Sequence, residues 1–485
     1  MHHLRYNVNS KPTPFLEEND MGMKEAVQFG YTRIRYMFSE SRVTPFGGLL
    51  IPGQMLQAVN FDKKIDRYTR PTKEFKNSDI LKAMLIGILC GDVDFESIHE
   101  TDDDPEFFCN AFHMHQLPSE ATLRQRLDEI GDTMKEPLRQ ITVDLFKTYD
   151  IKPTPIDING VSYVPIDIDV SPFINEKCCK EGISKTYKLK DGYAPIFAYI
   201  GAEGYLLACE LREGKQHCQC GTLEFLKEVL ILARKITDQP LLIRMDSGND
   251  AKENIALFME ECFKSNRVHF IIKRNLRKEQ PQEWLDQIRD VCTNVKEPRE
   301  GKKEYIGQTF RDIVYNLPDS AEESSKTVGI RTIYDITERA CDHDGQYYIL
   351  PKIECDMYSV NIDFADEVII ELYHKHGEME QYHSEIKTDL NAEQLPSGKF
   401  ATNELILELI QLAYNMLRMM GQSTIGMEDL PVKRTVKRRR LRTVVTRLIM
   451  APGVITRHAR QVRLDLGRSN PWRKAVAVLL DKFMR

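Results

Sequence analysis

The clearest hydrophobic pattern in the chain is a strict alternation in the segment "YVPIDIDVS", Tyr163–Ser171. Apolar residues occupy every second position from Val164 to Val170, whereas Asp167 and Asp169 fall on the opposite face. Alternation with a period of two is typical of a β-strand. The pattern therefore predicts a strand that carries two carboxylates close to its C-terminal end.

Strands and helices then follow in a mixed order. Residues 192–214 predict two strands around a Gly-rich hairpin, and residues 222–236 predict an amphipathic helix. The apolar run in "PLLIRMDSGND" predicts a buried strand that ends at Asp246, before a further helix and the strand "VHFIIK". A hairpin followed by strands that alternate with helices predicts an α/β core with a mixed sheet.

The remaining segments predict the domain organisation. The sequence "NSDILKAMLIGILCG" begins a helical region with Asn77 or Ser78 as its N-cap, and the polar, turn-rich stretch after the core is typical of β structure. The predicted units are an irregular arm (1–76), a helical DNA-binding domain (77–150), the first part of the core (160–273), a β-rich insertion (274–363), the second part of the core (364–422) and a basic helical C-terminal tail (431–485).

A second pattern concerns the segment "YHKHGEMEQYHSEIK", which begins at Tyr373. At about 100° per helical residue, Tyr373, His376, Glu380 and Lys387 fall within roughly 60° of one another. A single carboxylate among polar and basic groups on one helical face indicates either a surface ion-pair ladder or a functional site.

Charge separates the C-terminus from the rest of the chain. The formal net charge is −6, but residues 431–485 hold sixteen Lys and Arg against two acidic residues. A basic segment on an acidic body favours contact with DNA or RNA over a merely solvated tail. Within it, Arg438, Arg439 and Arg440 are the densest cluster. Arg124 and Arg126 lie on a predicted helix that is either a helix-turn-helix-like reader or a plain amphipathic helix.

Other features exclude several classes of protein. The longest apolar run is short and contains Lys82, and the N-terminus has no signal-like core, so we expect a cytoplasmic protein without a membrane span. Eleven scattered cysteines without a CxxC pair favour reduced thiols. The segment "KQHCQC" lacks a second ligand pair for zinc, and no GxxxxGK[ST] loop supports ATP binding.

Three acidic residues are candidates for metal binding. Asp169 and Asp246 end predicted strands, and ligands of open α/β sheets gather at the carboxyl ends of strands. Glu380 lies on the helical face described above. Several carboxylates can hold two Mg²⁺ ions for phosphodiester chemistry. Alternatively, Asp246 closes a turn and Asp167 and Asp169 line a solvated sheet face.

These segments together carry a resemblance. Tyr373, His376, Glu380 and Lys387 have the spacing of the Y-R-E-K signature of bacterial insertion-sequence DDE transposases, and "IDIDVS" and "LIRMDSGND" resemble the strands of the first and second Asp. The segments at residues 180–218 and 390–418 are similar to the insertion sequence thirteen-eighty family. The resemblance implies a ribonuclease-H-like core interrupted by a β-rich insertion. It also implies Asp169, Asp246 and Glu380 as ligands of two Mg²⁺ ions, for which Mn²⁺ substitutes.

The same resemblance implies the partners and the activity. Tyr373, His376 and Lys387 would contact double-stranded DNA near the cut, and the enzyme would bind terminal inverted repeats and target DNA as a homodimer in the bacterial nucleoid. His376 replaces the signature arginine, and Asp167 stays an alternative to Asp169. The expected function is metal-dependent cleavage at element ends with strand transfer. The alternatives are an inactive DNA-binding descendant and a nuclease without strand transfer.

Overall fold

The computed structural model describes most of the 485-residue chain. The described residues are 24–29, 32–36, 41–68, 74–316, 325–342, 344–428, 430–431, 436–458, 461–468 and 470–484. Residues 1–23 of the predicted arm and residues 432–435 of the predicted basic run lie outside them. No helix within the described ranges is long and apolar enough to cross a lipid bilayer.

Helices dominate the N-terminal part. The helix Asn77–Leu89 is completely buried because most of its residues are apolar, and its Lys82 pairs with the carboxylate of Asp62. The elements in order are β1 (Lys24–Phe29), β2 (Thr32–Tyr36), β3 (Arg42–Thr44), α1 (Leu50–Ala58), α2 (Phe61–Asp66), α3 (Asn77–Leu89), α4 (Pro105–Phe112), α5 (Glu120–Ile130) and α6 (Lys135–Thr148).

The central sheet begins after this helical part. The elements are β4 (Ile156–Ile158), β5 (Val161–Val170), β6 (Phe173–Ile174), β7 (Ser184–Lys185), β8 (Asp191–Tyr193), β9 (Ile196–Ile200), β10 (Tyr205–Glu210), α7 (Thr222–Ile236), β11 (Leu241–Met245), α8 (Lys252–Ser265) and β12 (Val268–Lys273). Strands β10, β9 and β5 pair antiparallel, whereas β5, β11 and β12 pair parallel. The predicted α/β class with a mixed sheet is therefore confirmed.

The β-rich segment continues the same sheet. It contains α9 (Pro281–Ile288), β13 (Asn294–Arg299), β14 (Lys302–Asn316), β15 (Ser325–Cys341) and β16 (Tyr347–Val360). Strand β16 pairs antiparallel with β12, which gives ten strands with the main order β10-β9-β5-β11-β12-β16-β15-β14-β13 and β4 beside β5. The segment forms strands, and backbone hydrogen bonds between β16 and β12 make it part of the central sheet.

A long helical stretch then crosses back to the sheet. Helix α10 (Asp366–His374) continues through a 3₁₀ turn (Lys375–Glu378) into α11 (Met379–Ser384), and a π-helical turn (Glu385–Asp389) ends the stretch. Helix α12 (Phe400–Gln422) is buried along most of its length and packs against β10 and α3. Helix α12 therefore joins the N-terminal helices to the sheet.

The basic C-terminal part is folded against the N-terminal part. It contains α13 (Leu441–Val444), a π-helical turn (Val445–Ile449), β17 (Gly453–His458), β18 (Gln461–Asp465) and α14 (Arg473–Phe483). Strand β17 pairs antiparallel with β3, and α14 packs against α1. Where the sequence predicts a helical tail, the structure places a strand pair and a helix on the main body, because their apolar residues, Trp472 and Phe483 among them, are buried.

Candidate active site

Two carboxylates meet at the carboxyl ends of the central parallel strands. Asp169 is the last but one residue of β5, and Asp246 directly follows β11. The parallel register pairs Ile168 with Met245, so the next residue of each strand is Asp169 and Asp246, respectively. This edge of a sheet is where ligands of α/β proteins bind.

The two carboxylates repel each other. Burial and then the nearby Asp169 raise the pKa of Asp246, and a hydrogen bond from Asn249 Nδ2 at 2.7 Å opposes that rise only in part. The Asp169 side chain is 28% exposed. A buried carboxylate whose ionisation is disfavoured by a neighbouring, partly exposed carboxylate forms a site that would favour a cation.

Asp167 occupies a different environment from Asp169. Both of its oxygens accept hydrogen bonds from Arg244, from Nε and Nη2 at 2.7 Å each, and His376 Nδ1 lies 2.8 Å from Oδ1. Burial alone would raise the pKa of Asp167, but Arg244 and next His376 hold it below its ordinary value. Both oxygens of Asp167 are thus engaged within the protein, whereas Asp169 faces the site.

The helical stretch carries side chains into this network at two points. His376 is buried beside Asp167, and His383, buried on α11, has its Nε2 3.6 Å from Asp169 Oδ2. Burial holds the pKa of His383 below its ordinary value, although the Asp169 carboxylate acts in the opposite direction. The sequence resemblance suggests a DNA contact for His376, whereas the structure turns it inward because Asp167 and Arg244 supply polar partners there.

Glu380 lies between His376 and His383 along the helical stretch, but its side chain is exposed. It lines the rim of a cavity between α11 and residues 436–440, where Glu378, Ser384 and Arg438 are also found. Within the described part of the chain, no three His, Cys, Asp or Glu side chains are arranged closely enough to hold a metal ion. The structure thus brings Asp169 and Asp246 together and leaves Glu380 apart from them.

The other signature residues lie near the carboxylate pair. Lys387 is partly buried, with Nζ 5.8 Å from the centre of the Phe173 ring; burial lowers its pKa, and Glu393 opposes that. Tyr373 packs against the ring of Tyr358 at 4.7 Å. Burial, and next Asp246, raise the pKa of Tyr373.

An exposed hairpin lies close to the same carboxylates. It joins β7 to β8 and presents Tyr187, which is 66% exposed. Although most of the Tyr187 side chain is exposed, its partial burial, and next Asp169 and Asp246, raise its pKa to about 12. Lys188 also lies near Lys387 and lowers its pKa. An aromatic ring and two cations therefore border the carboxylate pair.

The arginines that the sequence singled out make contacts within the protein. Arg124 pairs with Glu120 at 2.7 Å on an exposed surface, whereas Arg126 is buried and donates to Asn77 Oδ1 at 2.8 Å. One of the two arginines expected to contact DNA from α5 is therefore buried, because the Arg126 side chain joins α5 to the first residue of α3.

Three arginines of the basic run are also engaged. Arg438 stacks over the Tyr382 ring at 4.5 Å and donates to Gln381, Arg439 is buried against Thr424, and Arg440 pairs with Asp389 at 2.9 Å. The contacts of Arg438 and Arg440 hold the run along the helical stretch that carries Glu380, whereas Arg439 contacts the residues that follow α12.

Sequence reasoning missed Arg244, His383 and Tyr199. Arg244 is the one charged residue of β11, and a charge inside a buried strand signals a buried partner. His383 follows Glu380 by three residues, a spacing that predicts one shared helical face, whereas the structure buries His383 and exposes Glu380. Tyr199, on β9, carries no signal of its own, because its role depends on a contact 184 residues away.

Comparison with known proteins supplies the family. No curated protein matches the sequence. A solved structure, the cryo-EM structure of the piggyBac transposase synaptic complex with hairpin DNA, is similar at 12% sequence identity and a TM-score of 0.39, over 83% of this chain and 78% of that one. The sequence model of the family described as transposase DDE domain group 1 matches residues 27–485. The chain belongs to the transposase DDE domain group 1 family.

Proposed function

We propose that this transposase cleaves DNA at the ends of its element in a metal-dependent reaction and joins the freed ends to target DNA. Asp169 and Asp246 carry the proposal, because β5 and β11 place them side by side and their repulsion raises the pKa of Asp246. The strand order around them, three antiparallel strands followed by two parallel ones, supports a ribonuclease-H-like core.

The residues present fit a divalent cation. Two neighbouring carboxylates supply the oxygen ligands that Mg²⁺ prefers, and the buried Nε2 of His383 beside them has no hydrogen-bond partner within the described residues. Asp169, Asp246 and Glu380 would hold two Mg²⁺ ions, or Mn²⁺ in their place. Such ions, when bound, polarise the phosphodiester and stabilise the charge on the attacking and leaving oxygens.

Glu380 is the third carboxylate of the proposal because of its place on the helical stretch. It follows His376 by four residues and precedes His383 by three, and these two histidines approach Asp167 and Asp169, respectively. On a regular α-helix, residues at this spacing lie on one face, but the 3₁₀ turn at Lys375–Glu378 changes the helical repeat just before Glu380. Glu380 is exposed on the cavity side, so its role as a ligand requires α11 to move this carboxylate towards the pair.

The neighbouring cations would position the DNA. Lys387 lies near Asp169, and Lys188 lies near Lys387, so a phosphate of the DNA would neutralise the charges of both lysines. Tyr373 adds a hydroxyl near Asp246. The basic C-terminal part would bind flanking duplex, with an affinity that falls steeply as salt rises. Two element ends held together would require two copies of the chain.

The replacement of the signature arginine by His376 does not by itself favour an inactive descendant. His376 is a hydrogen-bonded part of the buried Asp167–Arg244 network, and Arg244 supplies a guanidinium there from a different element. A cleavage assay tests the proposal. A labelled duplex with the gene's own flanking sequence should be cut at the element boundary with Mg²⁺ and not with EDTA.

Transfer of the label to an unlabelled target plasmid separates a transposase from a simple nuclease. We expect joined products in which the 3′ end of the element is covalently linked to target DNA. Cleavage without joined products, with Mn²⁺ as well as Mg²⁺, would leave a metal-dependent nuclease as the function. Binding to the duplex without cleavage would leave an inactive DNA-binding protein.

A further inference from the structure

The imidazole of His383 is enclosed between the sheet and α11. The side chain is 7% exposed, and its ring centre lies 5.3 Å from that of Phe197 and 5.4 Å from that of Tyr199. Both aromatic residues lie on β9, which pairs with β5 in a register that sets Phe197 opposite Asp169. The imidazole is therefore fixed by aromatic packing directly beside a proposed metal-binding carboxylate.

The two ring nitrogens of His383 have different surroundings. Nδ1 lies 3.1 Å from the hydroxyl of Tyr199, and Nε2 lies 3.6 Å from Asp169 Oδ2. Nε2 is buried and has no hydrogen-bond partner among the described residues. A buried imidazole nitrogen without a partner is unfavourable, because it has lost its hydrogen bonds to water without replacing them. An Asp169 side chain that swings slightly towards Nε2 would remove this penalty.

Tyr199 decides which nitrogen of His383 carries the proton. The Tyr199 hydroxyl is buried, and Nδ1 of His383 is the acceptor in reach of its proton within the described residues. When Tyr199 donates to Nδ1, the neutral imidazole must carry its own proton on Nε2. The Nε2–H group then points at a carboxylate oxygen.

We propose that His383, held by Tyr199, positions Asp169 for metal binding by donating a hydrogen bond to its Oδ2. One oxygen of Asp169 would be fixed by the imidazole, which leaves the other oriented towards the gap shared with Asp246. Carboxylates that bind metals are commonly held by such a hydrogen bond, and its loss typically weakens metal affinity about 10- to 100-fold. The inference rests on the metal site of the proposed function.

Direct metal ligation by His383 is a distinct arrangement with distinct consequences. It would require a free lone pair on Nε2, a proton on Nδ1, and a Tyr199 hydroxyl that accepts and finds another acceptor for its own proton. A positioning role tolerates any neutral donor at Nε2, whereas a ligand role does not. Glutamine places an amide N–H close to where histidine places Nε2–H, so His383→Gln separates the two arrangements.

Mn²⁺ binding to the full-length protein without DNA tests the inference, with calorimetric titration of Mn²⁺ alone. We expect His383→Leu to raise the Mn²⁺ dissociation constant about 10- to 100-fold at unchanged stoichiometry, and His383→Gln to stay within a few fold of wild type. Tyr199→Phe should fall between them, because it removes the group that selects the tautomer.

His269→Leu is the matched control. His269, on β12, is also buried and also has a ring nitrogen without a hydrogen-bond partner among the described residues. Its ring packs against Tyr163, and no contact between His269 and Asp169 is found among the described residues. It should leave Mn²⁺ affinity unchanged. If His383→Leu does not fold, as judged by its circular dichroism, the comparison of Tyr199→Phe and His383→Gln with wild type carries the test.

Four outcomes have different meanings. Unchanged Mn²⁺ affinity in both His383→Leu and Tyr199→Phe would overturn the inference while leaving the metal site intact. Equal loss in His383→Gln and His383→Leu, with one fewer ion bound, would replace positioning by direct ligation. Absence of saturable Mn²⁺ binding to the wild type would instead refute the metal site of the proposed function, as would binding that persists in Asp169→Asn.

Discussion

The two aspartates of the "IDIDV" strand should respond in opposite ways to the same substitution. Asp167→Asn replaces a buried carboxylate by a neutral amide while leaving the size of the side chain nearly unchanged. It removes the counterion of Arg244 and one partner of His376 from a network in which the side chains are 6–8% exposed. Asp169→Asn makes the identical chemical change two residues along the same strand.

The contacts of Asp167 determine how much stability Asp167→Asn should lose. Its carboxylate accepts two hydrogen bonds from Arg244 at 2.7 Å and lies 2.8 Å from His376 Nδ1. Arg244 keeps its hydrogen bond to the carbonyl of Leu372, at 2.8 Å, but its charge would lose the carboxylate that neutralises it. Breaking a buried ion pair on one side typically destabilises a protein by about 3–5 kcal/mol. Asp169→Asn should be neutral or slightly stabilising, because it relieves repulsion of Asp246.

Urea denaturation followed by tryptophan fluorescence would measure both effects, since the chain has two tryptophans. Combining Asp167→Asn with Arg244→Gln should lose much less stability than the sum of the two single changes, because neither partner is then left charged alone. Mn²⁺ affinity should fall in Asp169→Asn. The reasoning would be refuted if Asp167→Asn were as stable as wild type and lost Mn²⁺ binding, since Asp167 would then be the metal ligand.

Further consequences can be measured on single variants. His376→Arg, which restores the family signature, should lower the stability by about 1–3 kcal/mol in urea denaturation, because a larger cation must fit beside buried Arg244; equal or greater stability would argue against the buried network. Asp246→Asn should be more stable than wild type at pH 7 in EDTA. The folded-state pKa of Asp246 is raised above 3.8, so the stability that its protonated form contributes is fully present below about pH 4 and lost at higher pH; the gain should vanish near pH 4. Phe483→Ala should lower the free energy of unfolding by about 3–5 kcal/mol, because its fully buried ring lies 4.9 Å from that of Tyr149; a negligible loss would show that the C-terminal helix is not part of the core.

Local sequence patterns predicted the strands better than they predicted which side chains would contact one another. The alternation over residues 163–171 correctly indicated a strand, and the run before Asp246 indicated a second. The alternation also allowed a solvated face for both aspartates. Asp167 is buried instead, because its guanidinium partner Arg244 arrives from a strand 77 residues later, and no local pattern encodes such a pairing.

Long-range pairing also explains the differences in domain organisation. The β-rich segment has the predicted strand character, yet β16 joins β12 through backbone hydrogen bonds, which any strand sequence can form. The pairing of β17 with β3 joins residues about 410 positions apart. The charge of the C-terminal part predicted an interaction with a polyanion, but charge alone does not reveal that Trp472 and Phe483 are buried and that α14 packs against α1.

The sequence predicted the helical stretch of the signature, but the shared face of its four side chains stays a prediction. The ideal helix places Glu380 and Lys387 on one side, and the structure keeps both on one continuous helical stretch. The 3₁₀ turn at Lys375–Glu378 and the π-helical turn at Glu385–Asp389 change the helical repeat on both sides of α11. Because of these irregular turns, the spacing on an ideal helix does not predict the exposure of Glu380.

Cleavage by Glu380→Gln tests the central claim most directly, with Glu378→Gln as its matched control. Both glutamates border the same cavity, and neither substitution removes a buried contact, so both variants should fold and bind the labelled duplex like wild type. The account predicts that Mg²⁺-dependent cleavage at the element boundary is lost in Glu380→Gln and kept in Glu378→Gln. Wild-type cleavage rates in Glu380→Gln, or equal loss in both variants, would contradict the assignment of Glu380 as the third catalytic carboxylate.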